Sequence, residues 1–504
     1  MNKIYLTSIT ILFTAIAFAQ KKNVNTKPFP FQNPVIHHMY TADPSPHVFP
    51  DGRVWMVTSV DHEDGGGFKT MHSYHTFSSS DMKNWVDHGE IFNLEDALQG
   101  NPEPANEDWA LWAPDMIYHN GKYYLYYPVR IIHKNTRGKN GKPKRSSYIA
   151  VARADAPDQR FKVINAKIEG TSGIDPAIFI DDDGEKYLYW GRQEAAKLKD
   201  NMIELATDPI KLELDDDDFV EASWMHKRKG VYYFSWHSRS QRPARVENPN
   251  DSNRKQSTLD YSYGDNPFGP FTFGGVFNYE LGVGVKNGPK YPGYDYVPWR
   301  LQLSNHGGIV EYHGQEYLFY HTAALSSWRQ DEFKGAGTNT QRSVCVDYLN
   351  YDENDSVIPV VQTIEGVKPI SVKQAYEIPI GTDKLEVVSG IEISKGKLRL
   401  KAKKGVIKLK NLDLGSGYYY FGLDVIKTTG NGKIQVYLDK EDGILSGTIS
   451  LNENTVSENN GTADTFLREA NAVHDVYIVF ENSDIKSNSI FRNLRFFAGS
   501  PKEL

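Results

Sequence analysis

Cysteine is nearly missing: Cys345 stands alone among 504 residues, which excludes an intrachain disulfide framework and a thiolate zinc site. Positive charge is not in excess. With 57 Lys and Arg against 64 Asp and Glu, the net charge of −7 argues against a nucleic-acid partner held by phosphate neutralisation. Beyond the first 19 residues no stretch reaches the ~18 consecutive apolar residues of a membrane helix, so no membrane insertion is expected. Phosphate-loop, G-x-S-x-G and H-E-x-x-H patterns are absent as well, which removes the motif support for phosphatase or protease chemistry.

The opening residues carry an address. Residues 1–19 place Lys3 before an apolar run that closes on Ala17-Phe18-Ala19, the small-residue pattern of a secretory signal peptide. Gln20, not cysteine, stands directly after that point, so a lipid anchor is not expected, and the mature chain should be secreted or periplasmic.

What the rest of the chain has in quantity is aromatic side chains: 30 Tyr, 24 Phe and 9 Trp. Many fall in a repeat. Five segments open on a polar head (Asp43, Asp115, Asp175, Glu221 and His306) and run through a short apolar strand to a turn glycine. After Gly52, Gly121, Gly184, Gly230 or Gly314, each continues into a run rich in Tyr, Phe and Trp. Glycine supplies the positive φ of a tight hairpin turn, and aromatics suit a pleated surface. The heads stand 46 to 85 residues apart, room for a four-stranded sheet in each interval. The expected fold is therefore all-β, a five-bladed β-propeller, rather than unrelated hairpins in a sandwich. Its first strands would line a central channel and gather the five heads at one mouth.

Four carboxyls and an imidazole at one mouth suit glycoside hydrolysis, which needs one carboxyl to protonate the leaving oxygen and another to activate water or attack the sugar. A third can raise the acid's pKa by like-charge repulsion. Taken singly, Asp-Pro pairs are turn formers and a lone histidine is a core residue; the order and spacing of all five heads carry the functional reading.

The stretches Ala42-Asp43-Pro44, Trp112-Ala113-Pro114-Asp115 and Ile174-Asp175-Pro176 with Asp181-Asp182-Asp183-Gly184 resemble the five-bladed glycoside hydrolases of family 43. So do Glu221-Ala222 with Trp224, Asn305-His306-Gly307 and Gln341-Arg342-Ser343-Val344. The resemblance covers residues 31–375. It implies Asp43 as general base, Asp175 as the pKa-raising and orienting carboxylate, and Glu221 as general acid. It implies substrate contacts from Trp112, Asp115, Trp224 and Arg342, with Asp115 an acid of the outer shell or rim. It also implies a hydrated structural calcium ion beside His306, and no organic cofactor. The related retaining fructan hydrolases open on N-D-P-N-G and carry R-D-P and E-C, where this chain has A-D-P-S-P, I-D-P and E-A. An inverting enzyme is expected, with the Asp43 and Glu221 carboxyls about 6.5–9.5 Å apart.

Three charged segments fall outside the heads. Asp181–Asp183 and Asp215–Asp218 read as solvated turn and loop residues without EF-hand spacing. Lys134–Arg145 holds six basic residues and no acid, a long hairpin loop that could attract an anionic polysaccharide. Residues 238–257 form a second polar insertion, expected over the propeller face.

After about residue 375 tryptophan disappears and short alternating strands follow, separated by Gly415-Ser416-Gly417 and Gly430-Asn431-Gly432. An antiparallel β-sandwich over 376–504 is expected, similar to a family 6 carbohydrate-binding module. Where that family usually carries a sugar-stacking tryptophan, this chain has Thr462-Ala463-Asp464-Thr465-Phe466, so a sandwich that only braces the propeller is an equal expectation. The functional expectation is an exported exo-glycosidase releasing terminal α-L-arabinofuranosyl or β-D-xylosyl residues from an oligo- or polysaccharide. Endo-arabinanase or galactan-directed activity, and a non-catalytic lectin-like pair, are the alternatives.

Overall fold

The structure, a computed structural model, describes residues 27–214, 219–238, 258–278, 304–333, 337–360, 362–370, 376–414, 420–428, 430–452, 462–468, 470, 473–483 and 489–497. The expected leader, the acidic run 215–218, the turn 415–417 and all of the 238–257 insertion except Ser238 lie outside the described residues.

Five antiparallel sheets follow one another along the chain. Blade 1 is Thr41–Val48, Val54–Val60, Ser73–Ser79 and Val86–Asn93. Blade 2 is Asp115–His119, Lys122–Arg137, Pro143–Ala154 and Lys162–Asn165, with an added strand, Glu107–Leu111, paired along the distal half of Lys122–Arg137. Blade 3 runs from Ala177–Ile180 to Ile210–Lys211, blade 4 from Phe219–Arg228 to Thr272–Asn278, and blade 5 from Gly308–Tyr312 to Val357–Ile358. The five first strands touch in sequence, and that of blade 5 returns against that of blade 1, closing a ring. The fold is a five-bladed β-propeller followed by an antiparallel β-sandwich.

The aromatic runs are the second strands. Val231–Ser238 is buried at every position but its first, because a blade is covered by neighbours on both faces and has no solvent face to alternate with. Two-residue turns join the inner hairpins: Asn120-Gly121, Lys229-Gly230 and His313-Gly314 all have positive φ at both residues, the hand that matches strand twist. Side chains then tie neighbouring blades. Asp181, expected to be solvated, is buried instead; it pairs with Lys227 of blade 4 at 2.7 Å and accepts from the Tyr232 hydroxyl at 2.5 Å. Burial alone would raise its pKa, but these two donors hold it below the usual carboxylate range.

The sandwich packs two antiparallel sheets around a core that includes Leu398, Ile407, Phe421, Val436, Ile478 and Phe496. It docks on blade 1 through the segment where a sugar-stacking tryptophan was sought. Phe466 meets Trp55 and His88 at ring-centroid distances of 5.6 and 5.5 Å, and the Arg53 guanidinium lies 4.6 Å from its ring centre. Arg468 grips Asp158 of blade 2 with two donors, one at 2.9 Å.

Candidate active site

The chain reaches the mouth of the ring in a bent conformation. Asp43 and Asp175 adopt left-handed φ values of 54° and 56°, and Ala222, next to Glu221, has φ 67°. The first strands of blades 1 and 4 slip register there, between Ala42 and Ser45 and between Glu221 and Trp224. Such bulges re-aim a side chain out of the ladder, and aspartate is among the residues that tolerate the left-handed region. Asp43, Asp175, Glu221, His306 and Arg342 all line one cavity of about 260 Å³, together with Phe68, Met71 and Trp112. That volume is below the ~300–1,000 Å³ of drug-sized ligand pockets, and fits one sugar ring better than a chain.

Arg342 organises one side. Its Nη1 donates to Asp43 Oδ1 at 2.8 Å and Nη2 to Oδ2 at 3.4 Å; Nε and Nη2 donate to the two oxygens of Asp61, both at 2.9 Å. The parallel pair expected to hold substrate thus holds Asp43. Burial disfavours the charged guanidinium, yet the two carboxylates raise its pKa above an already high value. The Asp43 backbone N–H donates to His321 Nδ1 at 3.2 Å, fixing that ring's tautomer; burial and the charge of Arg342 push its pKa well down, so it is neutral.

The other two carboxyls sit in unlike surroundings. Asp175 accepts from the Ala222 N–H at 3.0 Å, and burial, followed by the charges of Glu221 and Asp43, raises its pKa well above the usual range. Glu221 keeps 24% of its side chain exposed, and His237 Nδ1 lies 3.3 Å from its Oε1. Burial would raise it too, but the His237 contact, with His306 and Arg342 nearby, holds it below its ordinary value. The sequence argument placed the raised pKa on the acid Glu221; the upward shift falls instead on Asp175, the deeper group, which has no cation in contact among the described residues.

Two expected substrate contacts are elsewhere. Asp115 is 1% exposed, and its carboxylate is used within the ring: it accepts from Ser45 Oγ, contacts His47 Nε2 at 2.8 Å and accepts from the Ile178 N–H at 2.6 Å. Against burial, these partners keep it low, so it binds blades 1, 2 and 3 together rather than a ligand. Trp224, after the register slip, turns into the core of blade 4, 5.2 Å from His47. Trp112 does line the cavity, its Nε1–H donated to the Phe68 carbonyl at 2.8 Å.

Asp61, His237 and His321 were not singled out from sequence. All three end the aromatic second strands, in Val60-Asp61, Trp236-His237 and Tyr320-His321. A hairpin returns to the level of its own head, so these ends lie beside the heads; His237 is the direct cross-strand partner of Glu221. The polar residue closing each aromatic run was the available signal.

The sequence model described as "Glycosyl hydrolases family 43" matches residues 31–272. Xylosidase/arabinosidase 43A of Humicola insolens is 30% identical over 388 residues, 64% of this chain and 98% of that protein. An arabinoxylan arabinofuranohydrolase of Bacillus subtilis (strain 168) is 26% identical over 519 residues, 92% of each chain. The crystal structure of a glycoside hydrolase family 43 arabinoxylan arabinofuranohydrolase from Bacillus subtilis, in complex with cellotetraose, covers 93% of this chain and 97% of its own at TM-score 0.51 and 24% identity, a likeness of fold. With the Humicola relative matched over nearly its whole length, the chain belongs to glycosyl hydrolase family 43.

Proposed function

We propose that this glycoside hydrolase acts as an exported, inverting exo-glycosidase, removing a terminal α-L-arabinofuranosyl or β-D-xylosyl residue from arabinoxylan-type fragments. The carrying observation is that Asp43, Asp175 and Glu221, from three different blades, line one cavity of about 260 Å³. Relatives named as xylosidases, arabinosidases and arabinoxylan arabinofuranohydrolases support the choice of sugars.

In this reading the terminal sugar fills the cavity against Trp112. Asp43, oriented by Arg342, takes a proton from a water molecule as its oxygen attacks the anomeric carbon. Glu221 gives its proton to the glycosidic oxygen as the carbon–oxygen bond breaks, and the configuration inverts. Asp175 acts as proton reservoir and repulsive neighbour. A bound sugar strips water from Glu221, which raises its proton affinity and draws the shared proton from Asp175 to the leaving group.

The residues present fit a hydrated cation at the channel. His306 is buried, and burial lowers its pKa, leaving a neutral ring with a lone pair to offer. Both side-chain polar atoms of Asn305, and Ser223 Oγ, are buried without a hydrogen-bond partner among the described residues. No three His, Cys, Asp or Glu cluster as a ligand set among those residues, so His306 would hold calcium with mostly water around it. Bound there, the ion would supply fixed positive charge to the carboxyl cluster.

Chromogenic α-L-arabinofuranoside and β-D-xyloside, assayed side by side, test the substrate class, and proton NMR of the first-formed sugar tests inversion. Retained configuration would overturn the mechanism; no turnover of either glycoside would overturn the exo-glycosidase reading. Export is tested by the N-terminus of the protein recovered outside the cytoplasm, expected to begin after Ala19.

A further inference from the structure

Beside the catalytic cavity lies a second one, also of about 260 Å³, and Phe68 and Trp112 line both. It sits on the three-stranded extension of blade 2. Register explains its composition: Asp108 lies opposite Ile132, Ala110 opposite Arg130, and Arg145 opposite Ile132, so these five side chains share one face of the sheet. Lys69 and Trp109 complete the lining.

The charge of this face is not balanced. Asp108 is paired with Lys134 at 2.8 Å. Arg130, half-buried, donates to the Ser146 carbonyl at 3.0 Å and lies 5.3 Å from the centre of the Trp112 ring. Neither Arg130, Arg145 nor Lys69 has a carboxylate partner among the described residues; burial, then the charge of Arg145, lowers the pKa of Arg130. Two arginines side by side at the edge of a partly apolar cavity, one half-buried and one exposed, both on paired strands, present donors suited to an anion. The exposed basic residues of the segment Lys134–Arg145 therefore differ in placement: Arg145 lines the cavity, Lys134 pairs with Asp108, and Lys139 and Lys142 lie near the hairpin tip away from the lining.

We propose that this side cavity binds an anionic sugar unit of the substrate, a carboxylate or sulfate ester carried on the part of the glycan that stays outside the catalytic pocket. The proposal rests on the glycosidase reading above. Only the terminal ring fits the cavity of Asp43, Asp175 and Glu221, so the rest of the glycan must leave past its lining. The Phe68–Trp112 partition then separates a neutral ring on one side from an acidic one on the other.

Three probes test it: xylotriose, the same trisaccharide carrying one glucuronosyl branch, and the same trisaccharide carrying one sulfate ester. Release of terminal xylose and calorimetric binding are measured for the full-length enzyme, for Arg130→Gln/Arg145→Gln, and for Lys139→Gln/Lys142→Gln. The expected result is a preference of about tenfold in kcat/KM for an acidic probe over the neutral one, as charge-assisted hydrogen bonds provide. It should weaken with salt, fall to parity in the arginine pair variant and persist in the lysine pair variant. Preference for the glucuronosyl probe alone identifies a carboxylate ligand, and for the sulfated probe alone a sulfate ester. Equal turnover of all three probes by the wild type, or loss of preference in the lysine variant instead, overturns the proposal. Should no probe be hydrolysed, the β-D-xylosyl half of the reading fails while the arabinofuranosyl half stands or falls with the chromogenic assay above, and the calorimetric contrast between acidic and neutral probes decides the anion site by itself. Matched thermal transitions of the variants exclude misfolding as the cause.

Discussion

Arg342 and Asp43 stand 299 residues apart in the chain and meet with Nη1 2.8 Å from Oδ1, both side chains almost wholly buried. The pair joins the last blade to the first. Because the same guanidinium also holds Asp61, neither carboxylate can move without the other.

Asp43→Asn should lower kcat by about 10²–10⁴-fold with little change in KM, the scale of a lost general base. Arg342→Lys keeps a positive charge but loses the fork that serves two carboxylates, and is expected to lower kcat by about 10²-fold through misplacement of Asp43. Steady-state kinetics with melting curves check both; an Asp43→Asn enzyme with full activity would remove Asp43 from the mechanism.

Asp175→Asn tests the shared proton. Burial and the like charges of Glu221 and Asp43 raise the pKa of Asp175, and the proposed mechanism has the pair share that proton. Without that second negative charge Glu221 releases its proton more readily, so the alkaline limb of the kcat–pH profile should move to lower pH. An unmoved limb would mean that Glu221 titrates independently.

The fold was legible because its repeat is local. Gly121, Gly230 and Gly314 mark hairpin turns, and aromatic strands follow each of them, so blade count and head positions can be read from the letters. Asp115 and Trp224 could not be placed so simply. Their roles depend on depth along the channel and on a one-residue slip at Ala222, neither of which leaves a mark in composition. Asp181 misled for a related reason: a turn acid looks solvated until the neighbouring blade brings Lys227 over it. Asp61, His237 and His321 were readable in principle, but only by carrying the repeat to the end of its second strand.

His88 makes the junction between propeller and sandwich sensitive to acid. Its ring stacks on Trp55 at 4.5 Å and contacts Phe466, and burial lowers its pKa from the ordinary value to about 4. The unfolded chain therefore takes up a proton near pH ~6.5 that the native state refuses until about 4. Stability is complete above the higher value and declines as pH falls between the two, by about 3 kcal/mol in all. Melting temperatures recorded from about pH 7.5 to about 4 should fall less steeply for His88→Phe than for the wild type. Parallel curves would show that His88 protonates freely in the folded protein.

Phe466→Ala removes the ring packed among Arg53, Trp55 and His88 and should cost about 1–3 kcal/mol of docking energy, less than a fully buried phenylalanine because Phe466 is half-buried. Arg468→Ala would leave Asp158 without its paired donors. Calorimetry is expected to show one transition for the wild type and separate sandwich and propeller transitions for Phe466→Ala/Arg468→Ala; one transition in both would show that the two units are held by other contacts.

Ring closure has a temporal consequence. A growing polypeptide acquires all three acidic groups by residue 221, yet the cation that positions the first of them arrives only with residue 342, in the final blade. On the proposed assignment of Asp43, Asp175 and Glu221, hydrolytic competence is withheld from every partly made chain and conferred when the circle is completed.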